Sequence, residues 1–432
     1  MGGSQSTVPR TASNLPLDII IEILSRLPVE TLMRFESVCK TWYDLIKTPH
    51  FISKHLQTHS TLNSTSLLVT NNNCETDTHQ ISLLSNDGLN NGPISLDLPF
   101  LNGRINEYTG MNYSYFYIVG ICNGLVCIHF SPYVYPLIIC NPSTRQFQEI
   151  PNEVDYNAYE TVKRVSLGFG FHPSANDYKL IRIVLYSTPI RKYNIRADLY
   201  VMSTNTWTEI DFNKLSLFLG EMNESGEYDR IVQIAGSPAT TLNGVFYWPA
   251  RIFPTYQVVV MSFDVGNEVF RRIRTPKCLH RILNLTNWAL TELDCTIALV
   301  VSPDERSFEV WVLNENESCW SNQIKVGPFP RIASDMIMGY EVGGHITVVG
   351  GGENGELLVT EHKYSGELKL FSYNAKTRKT MDLYCGKVPY RSSVYLYAGT
   401  LLPVIKTNEI VLNKWNKDGK ALNLRKILRW DL

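Results

Sequence analysis

The apolar and polar positions of this chain follow two different rhythms, with the change near residue 60. Between Asn14 and Ile46 the apolar residues return at helical spacing. After Pro28 they fall at Leu32, Phe35, Val38, Cys39, Trp42, Leu45 and Ile46, steps of three or one that keep one face of a helix apolar. Pro16 and Pro28 suit the starts of helices, where a missing N–H costs nothing. Asp18 and Glu22 read as negative charge in the N-terminal half of the first helix, where the dipole favours it. Thr48-Pro49 ends the run, because the residue before a proline is pushed out of the α region.

From residue 66 the period becomes two and stays so almost to the end. The recurring unit is a strand, a turn built on Gly, Asn, Asp, Ser or Thr, and a second strand close to an aromatic residue. The pairs at 138–150, 198–210, 260–273 and 308–320 show it most clearly, and those at 81–98 and 368–383 more weakly. Phe147, Trp207, Phe270 and Trp320 recur at intervals of 60, 63 and 50 residues, room for four short strands per repeat. Such an array predicts a propeller. Closure would pair a strand near Ser393 to Gly399 with the first repeat at Ser66 to Thr70, which removes open sheet edges. Asn-Gly pairs at 123, 243 and 354 sit between apolar runs as tight hairpin turns do. The boundaries expected are a disordered tail at 1–13, a helical domain at 14–59, a linker at 60–65, a β domain at 66–402 and a basic tail at 403–432, with Leu424, Ile427 and Leu428 at helical spacing.

The first helix holds more apolar residues than one face can bury. Ile19, Ile20, Ile21, Ile23 and Leu24 crowd two turns. Leaving three or four of them in water forgoes roughly 5 to 10 kcal/mol of burial, comparable to the net stability of a domain. A surplus of this kind marks a partner.

Composition narrows the chemistry. The 432 residues are 44% hydrophobic with a net charge of −1, which argues against a polyanion-binding surface and so against nucleic acid. Nine cysteines are scattered without metal or redox spacing and read as reduced; Cys122 and Cys127 read as small hydrophobes in a hairpin. No leader and no long apolar run appear, so the expected location is cytoplasmic or nuclear, with no membrane span. MGGSQS does fit the pattern for N-myristoylation at Gly2. Gly350, Gly351, Gly352 and Gly355 have the spacing of a dinucleotide fingerprint, but the segment after them reads as strand rather than helix, so no nucleotide or other cofactor is expected. No catalytic spacing and no metal site emerge; a propeller enzyme with a site assembled from distant loops stays open.

Residues 14–46, NLPLDIIIEILSRLPVETLMRFESVCKTWYDLI, resemble the F-box, the adaptor-binding motif of SCF-type ubiquitin ligases. The runs GICNGLVCI, CNPSTRQFQEIP, LGFGFHPSANDYKLIRI and LNGVFYW resemble the F-box-associated interaction domain of plant F-box proteins. The resemblance implies an α+β multidomain fold, a helical F-box followed by an all-β propeller-like domain of six repeats. It implies a non-catalytic substrate receptor that docks on a Skp-type adaptor, and through it on cullin, while its β domain holds a protein for ubiquitination. An F-box protein working outside ubiquitination is the alternative. Adaptor contact would fall to Leu15, Pro16, Ile19, Ile20, Ile23, Leu24, Leu27 and Pro28, with Leu32, Val38 and Trp42 in support. For the target, strand alternation groups the loops 152–163, 187–196 and 211–230 on one face, and Tyr156, Tyr159, Arg191, Lys192 and Tyr193 are the candidates there.

Overall fold

The computed structural model of the chain describes residues 15–61, 66–73, 78–84, 94–98, 100–101, 115–131, 136–151, 161–187, 194–211, 221–222, 228–234, 239–253, 255, 257–279, 288–293, 295–304, 307–314, 319–327, 335–337, 340–342, 345–351, 356–362, 367–374, 377–387, 393–404, 414–415 and 421–422. Four helices open it: α1 (Leu17–Leu24), α2 (Val29–Phe35), α3 (Lys40–Ile46) and α4 (Pro49–Thr61). Pro16 and Pro28 stand just before α1 and α2, their carbonyls accepting the first helical hydrogen bonds.

Three sequence expectations change here. The apolar run from Leu32 to Ile46 is two helices, because Ser37 turns its hydroxyl back onto the Arg34 carbonyl and Cys39 is extended at φ −160°. Glu22 lies towards the C-terminal end of α1, so it does not serve the dipole; it pairs with Lys54 of α4 at 2.7 Å and Arg26 at 2.6 Å. Helix α4 reaches Thr61, two residues into the stretch read as linker.

Six antiparallel sheets follow as propeller blades, five of four strands and the fourth blade of six, Glu221–Met222 pairing at its edge. Blade two is Tyr115–Cys122, Leu125–Ser131, Leu137–Asn141 and Gln146–Glu149, in chain order. Blade three is Thr161–His172, Asp177–Ser187, Asn194–Val201 and Thr206–Glu209. Blade four splits its first strand into Tyr228–Ile234 and Thr240–Leu242, both paired with Val245–Phe253, and continues with Val258–Asp264 and Val269–Arg274. Blade five spans 288–326 and blade six 345–387. Blade one is closed as the pattern predicts, by Ser393–Tyr397 on Ser66–Asn73, in register from Ser66 opposite Tyr397 to Thr70 opposite Ser393. Successive blades touch one another around the ring through their first strands, and blade one does so through both Ser66–Asn73 and the closing strand Ser393–Tyr397.

The core lies between blades rather than within them. Ile181 and Ile183 of blade three meet Phe246 and Trp248 of blade four; Leu125 and Cys127 of blade two meet Phe169 and Leu180 of blade three; Leu67 and Leu84 of blade one meet Leu370 of blade six. The run LGFGF owes its glycines to this packing, since a Cβ on Gly168 would stand 2.9 Å from both the Phe246 and Trp248 rings. The recurring aromatics reach back to the preceding blade. The indole of Trp207 donates to the Pro151 carbonyl and that of Trp320 to the Arg274 carbonyl, both at 2.9 Å, while Phe147 packs 4.8 Å from Phe100.

Asn123-Gly124 and Asn243-Gly244 turn with positive φ at both residues, as a two-residue hairpin requires. Gly350 and Gly351 pair with Leu358 and Leu357, so the glycine-rich segment leads from strand to strand and no helix follows it. Asn354-Gly355 lies outside the described residues. So do Gly2, the tail at 1–13, and Leu424, Ile427 and Leu428; within the basic tail, Lys414–Trp415 and Ala421–Leu422 form a short ladder. No helix among the described residues is long and apolar enough to cross a membrane.

Candidate functional site

Helix α1 divides its apolar residues between two directions. Ile21 and Leu24 turn inward, where they join Val29, Leu32, Ile46 and Phe51 in a small core, with Ile20, Leu27 and Trp42 packed at its margin. Ile19 and Ile23, one turn apart, turn outward, and Leu15, just before the helix, is exposed as well. Ile21 is 9% exposed and Ile23 is 50% exposed, two positions apart on one helix. Ten large apolar side chains are exposed among the described residues, and Leu15, Leu17, Ile19, Ile23, Val38 and Tyr43 all belong to the helical module. That concentration distinguishes a surface from scattered exposure.

The residues expected at the adaptor surface therefore separate by role. Leu15, Pro16, Ile19, Ile23, Pro28 and Val38 are open to water; Ile20, Leu27 and Trp42 are half-buried; Leu24 and Leu32 are buried and hold the helices together. Leu17 and Tyr43, which the sequence does not single out, are exposed as well. Tyr43 sits on the shorter α3, where the single-helix reading obscured its outward direction, and Lys47 lies over its ring at 3.6 Å.

The exposed stripe is held by a polar frame behind it. His55 and His59 of α4, stacked at 4.2 Å, both direct Nε2 at the carbonyl of Leu27, at 3.0 and 3.1 Å. A carbonyl only accepts, so Nε2 is the donor in both bonds. Burial pushes the His55 pKa down to about 4 despite that bond, so its neutral form is the native one. Across the same helices, the hydrogen bond from Lys54, helped by Arg26, lowers the Glu22 pKa to about 2.

The other candidate face is less visible. Tyr156, Tyr159, Arg191, Lys192 and Tyr193 lie outside the described residues. The strand ends beside them, Glu149, Thr161, Ser187 and Asn194, share one rim by strand direction, opposite the rim of the Asn123-Gly124 turn. Among the described residues no cluster of His, Cys, Asp or Glu could hold a metal ion.

Residues 12–54 match the F-box domain family, and residues 101–396, more than half of the chain, match the F-box associated beta propeller domain family. The chain belongs to the F-box associated beta propeller family. Among similar proteins, the F-box protein At3g07870 of Arabidopsis thaliana is 27% identical over 414 residues, 90% of this chain and 91% of the relative. The F-box/kelch-repeat protein At3g23880 of the same plant is 25% identical over 308 residues, 70% of this chain and 76% of the relative. Among solved structures, the SapL1 lectin in complex with alpha methyl fucoside covers 76% of this chain and 97% of its own at a TM-score of 0.40 and 8% identity. Within the matched F-box region, Leu17, Ile19 and Ile23 of α1 stand exposed, as do Val38 and Tyr43 beyond it.

Proposed function

We propose that the chain is the substrate-recognition subunit of an SCF-type cullin-RING ubiquitin ligase. The F-box docks on a Skp-type adaptor, which brings cullin, and the propeller holds the protein to be modified. The observation that carries this reading is the exposure of Leu17, Ile19 and Ile23 on a helix whose other face is already packed, with Leu15 exposed just before it. Three or four such side chains forgo roughly 5 to 10 kcal/mol until a partner covers them.

The chain needs no nucleophile of its own in this role. Holding a target lysine beside a charged ubiquitin carrier raises its effective concentration, and that positioning supplies the rate. Target contact falls in this reading to the loops 152–163, 187–196 and 211–230, with Tyr156, Tyr159, Arg191, Lys192 and Tyr193 as the candidates, and the site of action to cytoplasm or nucleus.

The test is a binding measurement with purified Skp-type adaptor. Replacing Leu15 and Pro16 together by Ala should abolish capture of the adaptor while the propeller keeps its melting temperature. Undiminished capture at equal concentration would sink the assignment.

A further inference from the structure

The chain enters the propeller at Ser66 and leaves it at Tyr397, and these two residues are paired side by side. Beyond Tyr397 the chain does not depart into solvent. Residues 398–404 form a strap between the helical module and blade two, with side chains serving both. Leu401 completes the core of the helical module, beside Val29 and Leu32, whereas Leu402 and Val404 pack in the core between blades two and three.

The strap is pinned by Asn141, a wholly buried side chain at the end of a blade-two strand. Its Nδ2 donates to the carbonyls of Thr400 at 2.9 Å and Leu402 at 2.8 Å, and its Oδ1 accepts from the amides of Ser143 and Thr144. All four hydrogen-bonding positions of the amide are thus used, two on the strap and two on the turn beside it. Gln146 accepts from the Val404 amide, and the Ser143 and Tyr397 hydroxyls meet at 2.9 Å. The approach is close enough that a Cβ on Gly399 would stand 2.9 Å from the Ser143 hydroxyl and 3.4 Å from a Val29 methyl. One short segment therefore touches α2, blade two and the core between blades two and three at once.

We propose that the strap is a positioning element that holds the F-box helices at one orientation to the propeller, with Asn141 and Leu401 as its positioning residues. Any other seat of the strap would leave this buried amide and the two carbonyls it holds without those hydrogen bonds, which is costly. Its use rests on the proposed ligase role: the adaptor surface and the opposite rim then face fixed directions, and a target on that rim is presented to the ubiquitin carrier at one distance.

The experiment is a distance measurement on the full chain, with spin labels on non-canonical residues at exposed Ser53 of α4 and exposed Ser174 of the first turn of blade three, with and without purified Skp-type adaptor. The unaltered chain should give one narrow distribution in both states. Asn141→Ala should broaden it into several distances while adaptor capture is unchanged, and Gly399→Val, which removes no hydrogen bond and only forces the layers apart, should do the same. A broad distribution in the unaltered chain overturns the proposal, as does a narrow, unshifted one in a folded variant of either kind. Failure of the unaltered chain to capture adaptor would remove the ligase reading, and the distance distribution would still decide whether the strap sets the orientation.

Discussion

At the scale of single residues, two buried polar arrangements decide measurable properties. Arg182 and Asp198, on neighbouring strands of blade three, are both buried and paired at 3.0 Å, with Arg196 on the other carboxylate oxygen at 2.8 Å and the Trp207 ring 4.0 Å from the guanidinium. Burial lowers the Arg182 pKa to about 10, which still leaves it charged at neutral pH. Removing it alone leaves the buried Asp198 carboxylate with Arg196 as its remaining cation. Arg182→Leu should cost about 3 kcal/mol in chemical denaturation, at the low end for such a loss because Arg196 remains. The double replacement of Arg182 and Asp198 by Leu should recover most of that; a double variant as unstable as the single would show that the pair itself stabilises. The second arrangement is His55, whose folded pKa near 4 lies below the ordinary 6.5. The unfolded chain binds the extra proton first, so this contribution is whole above pH 6.5 and is lost as pH falls towards 4. Glu22, held near 2 rather than 4.5, loses its contribution lower, as pH drops below 4.5. His55→Gln, which can still donate to the Leu27 carbonyl, should flatten the decline in melting temperature between pH 6.5 and 4.5, and an unaltered decline would exclude His55 as its source.

At the scale of elements, α1 shows one sequence performing two tasks. Ile21→Ala empties a packed position and should cost about 2 to 5 kcal/mol of stability in the helical module. Ile23→Ala removes surface that faces water and should change stability by no more than about 0.5 kcal/mol. The order should invert for the partner: Ile23→Asp is expected to weaken adaptor capture by about tenfold or more. Equal effects of the two positions in both measurements would mean that α1 has no preferred outward face. That surplus was legible in the sequence, because five aliphatic residues in two turns exceed any single face. Which of them turn outward was not, since it depends on where α2, α3 and Leu401 lie. The break at Glu36–Cys39 was likewise hidden: the apolar spacing runs straight across it, and only the local hydrogen bond of Ser37 reveals the competition.

At the scale of the whole molecule, the ring is held shut by a strand that arrives more than three hundred residues after its partner. A chain ending at Tyr390 would lack Ser393–Tyr397 and the strap, leaving Ser66–Asn73 with an open edge and Leu401 missing from the helical core. Such a truncation should aggregate or melt far below the full chain, with helices and blades affected together, because closure, strap and F-box packing share these twelve residues. A soluble truncated chain with an unchanged melting temperature would mean that neither closure nor strap matters to stability.

The sequence by itself determined the α-to-β succession, the six repeats, the hairpin turns and the strand that closes them, since each rests on periodicity or turn chemistry that a few neighbouring residues express. It also determined that the first helix has apolar surface to spare. Only the tertiary structure decided that the aromatics of the outer hairpins reach to the preceding blade, that Glu22 serves α4 rather than its own helix, and that residues 398–404 lie under the F-box. The reason is physical. Asn141 stands in the sequence as an ordinary turn residue, and nothing within fifty positions of it can show that its amide will meet the carbonyls of Thr400 and Leu402; that bond exists only once six blades have brought the two ends of the propeller together.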